Sequence, residues 1–349
     1  MAMESVQSIA ERSCGSIPSC FVRPECERPG LAHDAFFQES FPVIDISGLG
    51  EGSERERAEI VRRIGAACTD WGFFHVTNHG VPLQLMDGMR RAAEIFFERP
   101  MCEKLQFSTP PGEMAAEGFA NRMLTRDDQV LDWRDYLNHH AHPIWRRNSS
   151  NWPHEQSYRQ MIEEYSAQVL ALSRQLLAAI SESLGLGSKF IEDAIGEPFQ
   201  NIVMNYYPPC PQPDLTLGLQ SHSDFGAITL LMEDHVGGLQ VRKNGRWFAV
   251  KPVPGAFIAN LGDQVEVLSN GRYKSVEHRV VVNSTNKRMA IAAFYDPSKN
   301  TRISPAPELI DEQNPRLYGE VLFRDHVSDF YSKGPEGKRN LDSIAIIRQ

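Results

Sequence analysis

The feature that most restricts the fold of this chain is a succession of short β-prone runs after Asn201, each closed by a turn signal. The runs are Ile202–Tyr206, Ala227–Met232, Gly238–Arg242, Trp247–Val250, Ala256–Leu261, Ser275–Val282 and Arg288–Tyr295. Between them stand Asp234 with Gly237, Asn244-Gly245, Pro254-Gly255, Asn270-Gly271 and the segment Asn283–Lys287, residue types that take the backbone angles of tight turns. Many short strands at this spacing predict a jelly-roll barrel.

The first half has a different period. Phe41–Ile46 reads as a strand, and Ser53–Trp71 places Ile60, Ile64, Ala67 and Cys68 at helical spacing behind the candidate cap Ser53, leading into the strand Gly72–Val76. Leu83–Arg99 repeats the helical pattern up to Pro100. Ser157–Leu186 is a long amphipathic stretch with Ile162, Tyr165, Val169, Leu172, Leu176 and Ile180 inward. Pro110–Asp132 mixes Gly, Asn and charge in the manner of a mobile loop, residues 1–40 read as an extended or partly ordered leader, and Tyr318–Tyr331 as a helix. The expected organisation is a mixed α/β chain: leader 1–40, mainly helical region 41–195, jelly-roll core 196–305, and C-terminal helix and tail 306–349.

At 349 residues the chain is long for one average domain, but a barrel with helical additions absorbs that length. With 36 Lys+Arg against 45 Asp+Glu and a pI near 5.7, there is no basic stripe to hold a phosphate backbone, which argues against a nucleic-acid partner. The six cysteines lack any CxxC pairing and read as reduced thiols; Cys14, Cys20 and Cys26 are evenly spaced but have no fourth ligand near them. Glu4, Glu11 and Arg12 interrupt any secretory apolar core, and no run of 18 apolar residues occurs. A cytosolic protein without membrane contact is the expectation; a monomer is expected too, although no heptad or interface stripe makes the oligomeric state legible in the sequence.

His222 and Asp224 lie two residues apart at the start of a strand, where a two-residue period points both side chains to one face. A second β-run, Ser275–Val280, carries His278, which antiparallel packing would bring opposite the pair. Two imidazoles and one carboxylate on a face leave three coordination positions open, the arrangement of non-haem Fe(II) oxygenases. His235, in a charged turn, is read as an ordinary surface group. Arg288 follows His278 across the turn 283–287 and opens the next strand, on which Arg288, Ala290, Ala292 and Phe294 share a face. If that face is the barrel interior, a guanidinium stands beside the metal with small residues leaving room, a setting suited to bidentate carboxylate binding.

Together with Asn205-Tyr206-Tyr207-Pro208-Pro209-Cys210, Phe41–Asp45 and Trp71–Gly80, these residues resemble the plant 2-oxoglutarate-dependent dioxygenases. That family includes flavone synthase I, flavonol synthase, anthocyanidin synthase and the salicylate hydroxylases. The resemblance implies a distorted double-stranded β-helix flanked by helices, with Fe(II) held by His222, Asp224 and His278. It implies 2-oxoglutarate bound to the iron through its 2-oxo acid end, its distal carboxylate on Arg288 and Tyr207, and Asn205 near the metal-bound end. It further implies O2 as oxidant, ascorbate as reductant, and release of succinate and CO2. One departure stands out: the family pairs its Arg with a Ser two residues on, whereas this chain has Ala290.

For the substrate, Phe294 matches a position at which related flavonoid enzymes stack an aromatic ring. Asp132–His140 resembles a segment that borders the substrate, with Tyr136 and His139 as polar contacts for a phenol; both could equally hold the helical half against the barrel. The Asp-Trp-Arg-Asp-Tyr-Leu version points toward the flavone synthase and salicylate hydroxylase branch. Flavanone desaturation or C2/C3 hydroxylation is the leading expectation. A salicylate-like phenolic acid, with Arg122 or Arg126 as carboxylate partner, is the alternative, and a non-catalytic small-molecule receptor on the same barrel is the alternative of another class.

Overall fold

The computed structural model describes residues 4–12, 15–29, 41–50, 52–108, 117–121, 130–333 and 341–346; Cys14, Arg122, Arg126 and most of the 110–132 segment lie outside these. The helices are α1 (Val6–Arg12), α2 (Glu54–Asp70), α3 (Leu83–Glu98), α4 (Met101–Lys104), α5 (Gln156–Ser183), α6 (Phe190–Ile195), α7 (Asp263–Leu268) and α8 (Phe323–Lys333). Ser53 caps α2 as its position suggests. Its hydroxyl accepts from the Glu56 N–H while the Glu56 carboxylate accepts from the Ser53 N–H at 2.8 Å, a reciprocal capping box.

The strands of the first half are β1 (Val43–Asp45), β2 (Phe73–Thr77), β3 (Gly118–Ala120) and β4 (Asp135–His142). Those of the second half are β5 (Phe199–Tyr207), β6 (Leu219–His222), β7 (Ile228–Glu233), β8 (Leu239–Lys243), β9 (Arg246–Ala249), β10 (Phe257–Leu261), β11 (His278–Val280) and β12 (Arg288–Asp296), followed by a two-stranded β13 (Arg302–Ile303) and β14 (Val321–Leu322). They form an eight-stranded sheet, β1-β2-β10-β7-β12-β5-β4-β3, and a four-stranded sheet, β6-β11-β8-β9. This is the jelly-roll architecture, with α5 packed on one face of the large sheet and α8 reaching the cavity on the other.

Alternation on the large sheet divides its residues between two environments. Ile202, Met204, Leu230, Met232, Ile291 and Ala293 join the main core beneath α5, which packs on β4, β5, β7 and β12. Their neighbours Val203, Asn205, Tyr207, Thr229, Leu231, Ala290, Ala292 and Phe294 line a cavity on the opposite face.

Two local expectations differ from the structure, and one turn is as expected. Asn270-Gly271 closes a helix instead of a hairpin: both residues take positive φ, and the Gly271 N–H donates to the Glu266 carbonyl at 2.9 Å, ending α7. Asn244-Gly245, with φ of 51° and 77°, does make the β8–β9 hairpin turn. The leader is not extended over its described part. The Val6 and Gln7 N–H groups at the start of α1 donate to the buried Asp135 carboxylate at 2.8 and 2.9 Å, and Val6, Ile17 and Phe21 bury against Trp133 and Cys210. The partners of the leader lie far along the chain, from Lys104 to Gln220, so its own residues carry no periodic sign of them. Among the described residues, no helix is long and apolar enough to cross a membrane.

Phe21 is 2 % exposed and meets Trp133 edge to face at 5.1 Å. Phe21→Ala should therefore lower the unfolding free energy by about 3–5 kcal/mol, read from urea denaturation; a change under about 1 kcal/mol would show that the leader contributes little to the fold.

Candidate metal centre

The small sheet brings the two histidines together. In the antiparallel β6–β11 pair His278 lies directly opposite His222, and the ring centroids are 4.2 Å apart. Asp224 is not on the strand. It follows the end of β6, and its Oδ1 comes within 3.5 Å of His222 Nε2 and 3.7 Å of His278 Nε2. All three side chains are buried, with one donor atom from each inside a 4.8 Å cluster.

The orientation of each group follows from its other contacts. His222 Nδ1 lies 2.9 Å from the Gln220 carbonyl and His278 Nδ1 lies 3.1 Å from that of Val276. A carbonyl only accepts, so each Nδ1 carries the hydrogen and each Nε2 presents a lone pair inward. Asp224 Oδ2 accepts from Thr229 Oγ1 at 2.6 Å and Asn260 Nδ2 at 2.7 Å, which leaves Oδ1 for the centre. Thr229 and Asn260 are cross-strand partners on β7 and β10, so the large sheet clamps a ligand carried by the small one.

The electrostatics agree with this assignment. Burial, reinforced by the neighbouring His222 ring, pushes the His278 imidazole down to about 4, so it is a neutral ligand at physiological pH. Burial opposes the charge of Asp224, yet the His278 and His222 rings and the Thr229 hydroxyl outweigh it and hold the carboxyl below the usual range. Two imidazole nitrogens and one carboxylate oxygen converging on one point, with a cavity on the open side, fit a divalent iron. They define the site class of the mononuclear non-haem iron oxygenases.

Comparison with known proteins agrees. Residues 198–297 match the 2OG-Fe(II) oxygenase superfamily, and residues 41–163 match the non-haem dioxygenase N-terminal region described from morphine synthesis. Jasmonate-induced oxygenase 2 of Arabidopsis thaliana is 40 % identical over 97 % of this chain and 92 % of its own length. Flavanone 3-dioxygenase of Petroselinum crispum is 41 % identical over 87 % and 82 %. The crystal structure of JOX2 in complex with 2OG, Fe and JA superposes with a TM-score of 0.90 at 38 % identity, covering 99 % of each chain. The chain belongs to the 2OG-Fe(II) oxygenase superfamily and is a 2-oxoglutarate-dependent dioxygenase, not a receptor built on the same barrel.

Around the metal ligands the structure gathers most of the other candidate residues. Arg288 pairs in register with Tyr207 and holds its guanidinium 4.9 Å above that ring. Asn205 lies in register with Ala290 on one side and Tyr136 on the other, and its side-chain oxygen accepts from Arg134 Nη1 at 2.9 Å. Phe294 and Tyr136 line the cavity. His139 does not. It points to the opposite face of β4, with Nδ1 3.0 Å from the Ile202 carbonyl and Nε2 2.8 Å from the Tyr158 hydroxyl.

The two-residue period explains this placement and could have anticipated it. On β4 and the residue before it, Arg134, Tyr136 and Asn138 face the cavity, while Asp135, Leu137 and His139 face the core and leader. A cavity-facing Tyr136 therefore turns His139 away. The same period would have nominated Arg134, which sequence reasoning passed over along with Thr229, Asn260, Asn201 and Asp296. Burial raises the Asp296 carboxyl to about 7, against the pull of Arg146 and an Asn201 hydrogen bond. Both Asn201 and Asp296 line the cavity.

Thr229→Val should weaken Fe(II) binding about ten- to a hundredfold, since loss of a partner that orients a ligand carries a cost of that order. Anaerobic titration with Fe(II) reads it directly, and an unchanged dissociation constant would mean that the Thr229 clamp is dispensable.

Proposed function

We propose that 2-oxoglutarate occupies the Arg288 end of the cavity, with its distal carboxylate on Arg288 and Tyr207 and its 2-oxo acid end beside Asn205 and the metal. The observation that carries this reading is the state of Arg288. The residue is 2 % exposed, and its Nε and Nη1 have no hydrogen-bond partner among the described residues. Leaving charged donors unpaired in a buried site is costly, and a dicarboxylate that reaches them from the cavity removes that cost. Bound iron would activate O2, the oxidant, with 2-oxoglutarate giving two electrons as it is decarboxylated to succinate and the acceptor giving the other two; the chain binds and orients the acceptor and keeps water out.

The acceptor is a small molecule with a flat apolar body, and a flavanone is the reading we favour. Phe294, Phe225, Leu219 and Leu231 supply apolar walls, while Tyr136, Asn138, Asn201 and Asp296 supply polar contacts for hydroxyl and carbonyl groups. Relatives named flavanone 3-dioxygenase and flavone synthase, both from Petroselinum crispum, support this choice. A second reading, a small carboxylic acid, rests on Arg134: it is a buried cation in the cavity wall, stacked 5.0 Å from the Tyr136 ring. The JOX2 structure contains JA, which also supports it.

Succinate release stimulated by naringenin, salicylate or jasmonic acid, followed together with product mass, distinguishes the two. Naringenin should give a product two or sixteen mass units away, with Phe294→Ala cutting turnover of naringenin more than basal succinate formation. Coupled turnover confined to a carboxylic acid, and abolished by Arg134→Gln, would replace the flavanone reading.

Ala290 lies in the row Tyr136–Asn205–Ala290–Glu233 across four strands, in the cavity lining next to Arg288. Restoring a hydroxyl there by Ala290→Ser should tighten 2-oxoglutarate about ten- to a hundredfold, the value of a hydrogen bond to a charged group being about 1.5–3 kcal/mol. Calorimetric titration that gives the same dissociation constant for both proteins would contradict it.

A further inference from the structure

Arg288 already has an anionic partner inside the protein. Glu233, the last residue of β7, accepts from Arg288 Nη2 at 3.0 Å, and the two side chains are 5 % and 2 % exposed. Glu233 is in register with Ala290, so it stands in the same row of the sheet as the small residue beside the guanidinium. Its second oxygen, Oε1, is buried without a partner among the described residues. One positive and one negative charge balance each other here before any ligand arrives.

A carboxylate that binds Arg288 brings a second negative charge to the same guanidinium. Two carboxylates that share a buried site do not both stay ionised, because the like charge and the loss of water each favour the neutral form of one of them. The other charged groups near Glu233 do not offset the added charge. Asp234, next in the chain, is a further carboxyl group rather than a cation, and it accepts from the Met289 N–H at 2.6 Å. Tyr207 faces Arg288 from β5, and Lys287 turns outward to Glu98 at 3.2 Å. Burial already works to raise the Glu233 carboxyl, with Arg288 opposing and Asp234 adding to the rise.

We propose that Glu233 makes 2-oxoglutarate binding proton-coupled: Arg288 passes from the Glu233 carboxylate to the distal carboxylate of the cosubstrate as Glu233 takes one proton from solvent. This rests on the reading that Arg288 holds that carboxylate. The sign follows from linkage. Glu233 titrates at higher pH in the complex than in the free protein, so between those two points binding takes up a proton and the dissociation constant rises about tenfold per pH unit. Below the lower point, affinity is independent of pH. A 2-oxo acid with an uncharged far end, such as 2-oxopentanoate, brings no second charge and takes up no proton at Glu233.

The test is anaerobic calorimetry of the full-length Fe(II)-loaded protein between pH 6 and 8.5, in pairs of buffers with different ionisation enthalpies. The wild-type protein should take up close to one proton more per 2-oxoglutarate than Glu233→Gln in the window where its affinity falls with pH. Glu233→Gln should show a flat profile and bind at least tenfold more tightly than wild type at pH 8.5. Proton uptake and pH slope unchanged by Glu233→Gln overturn the proposal. Arg288→Gln separates the two layers. If it binds 2-oxoglutarate as wild type does, the placement of the distal carboxylate fails and the proposal with it. If it loses binding while wild type and Glu233→Gln remain alike, only the role of Glu233 fails.

Discussion

The large sheet has to bury one face under helices while the other stays polar, and the rest of the structure depends on that constraint. Residues of β5, β7 and β12 alternate between the core beneath α5 and the cavity, so apolar Ile202, Met204, Ile291 and Ala293 interleave with Asn205, Tyr207, Arg288 and Thr229. A slip of one residue in any of these pairings would turn the polar set into the core and the apolar set into the cavity, at several kcal/mol for each unpaired buried group. The nine register pairs of β12 with β5 tie Arg288 to Tyr207 and Ala290 to Asn205 through the same alignment. The Arg288 end of the cavity is thus a by-product of core burial.

The metal centre depends on both sheets. The small sheet supplies the imidazoles by placing His222 opposite His278, and two backbone carbonyls hold their Nδ1 hydrogens. The large sheet reaches across with Thr229 and Asn260 to hold Asp224, which lies beyond the end of its strand and would otherwise be free to turn. A ligand set held in this way needs little rearrangement to take up iron. The cavity that opens from it is polar at its ends, with Arg288, backed by Glu233, at one and Asp296 and Asn201 at the other, and apolar between them through Leu231, Ala292 and Phe294.

How much of this was legible in the letters varied with the range of the interaction. Ser53, Asn244-Gly245 and the helical periods of α2, α3 and α5 act within a few residues, and the structure carries them nearly as read. His222, Asp224, His278 and Arg288 were legible because strand period and one hairpin relate them. His139 was misplaced because Asp135–His142 was not recognised as a strand, so its alternation went unused and Arg134 was overlooked with it. The capture of α1 by Asp135, the Thr229–Asn260 clamp and the Glu233–Arg288 pair left no local mark, since each joins residues from separate elements that are distant in the chain.

By itself, then, the sequence determined the ligand types, their order and the alternation that sends Arg288, Ala290, Ala292 and Phe294 to one face. Those properties depend on side-chain chemistry and on the two-residue repeat of a strand, both of which are local. Only the tertiary structure decided which donors of Arg288 lack a partner among the described residues, which oxygen of Asp224 is left for the metal, and that a carboxylate of the protein itself stands against the guanidinium. These are matters of distance between groups brought together by sheet register, and burial then multiplies the consequences, because a charge removed from water answers to the few partners within reach.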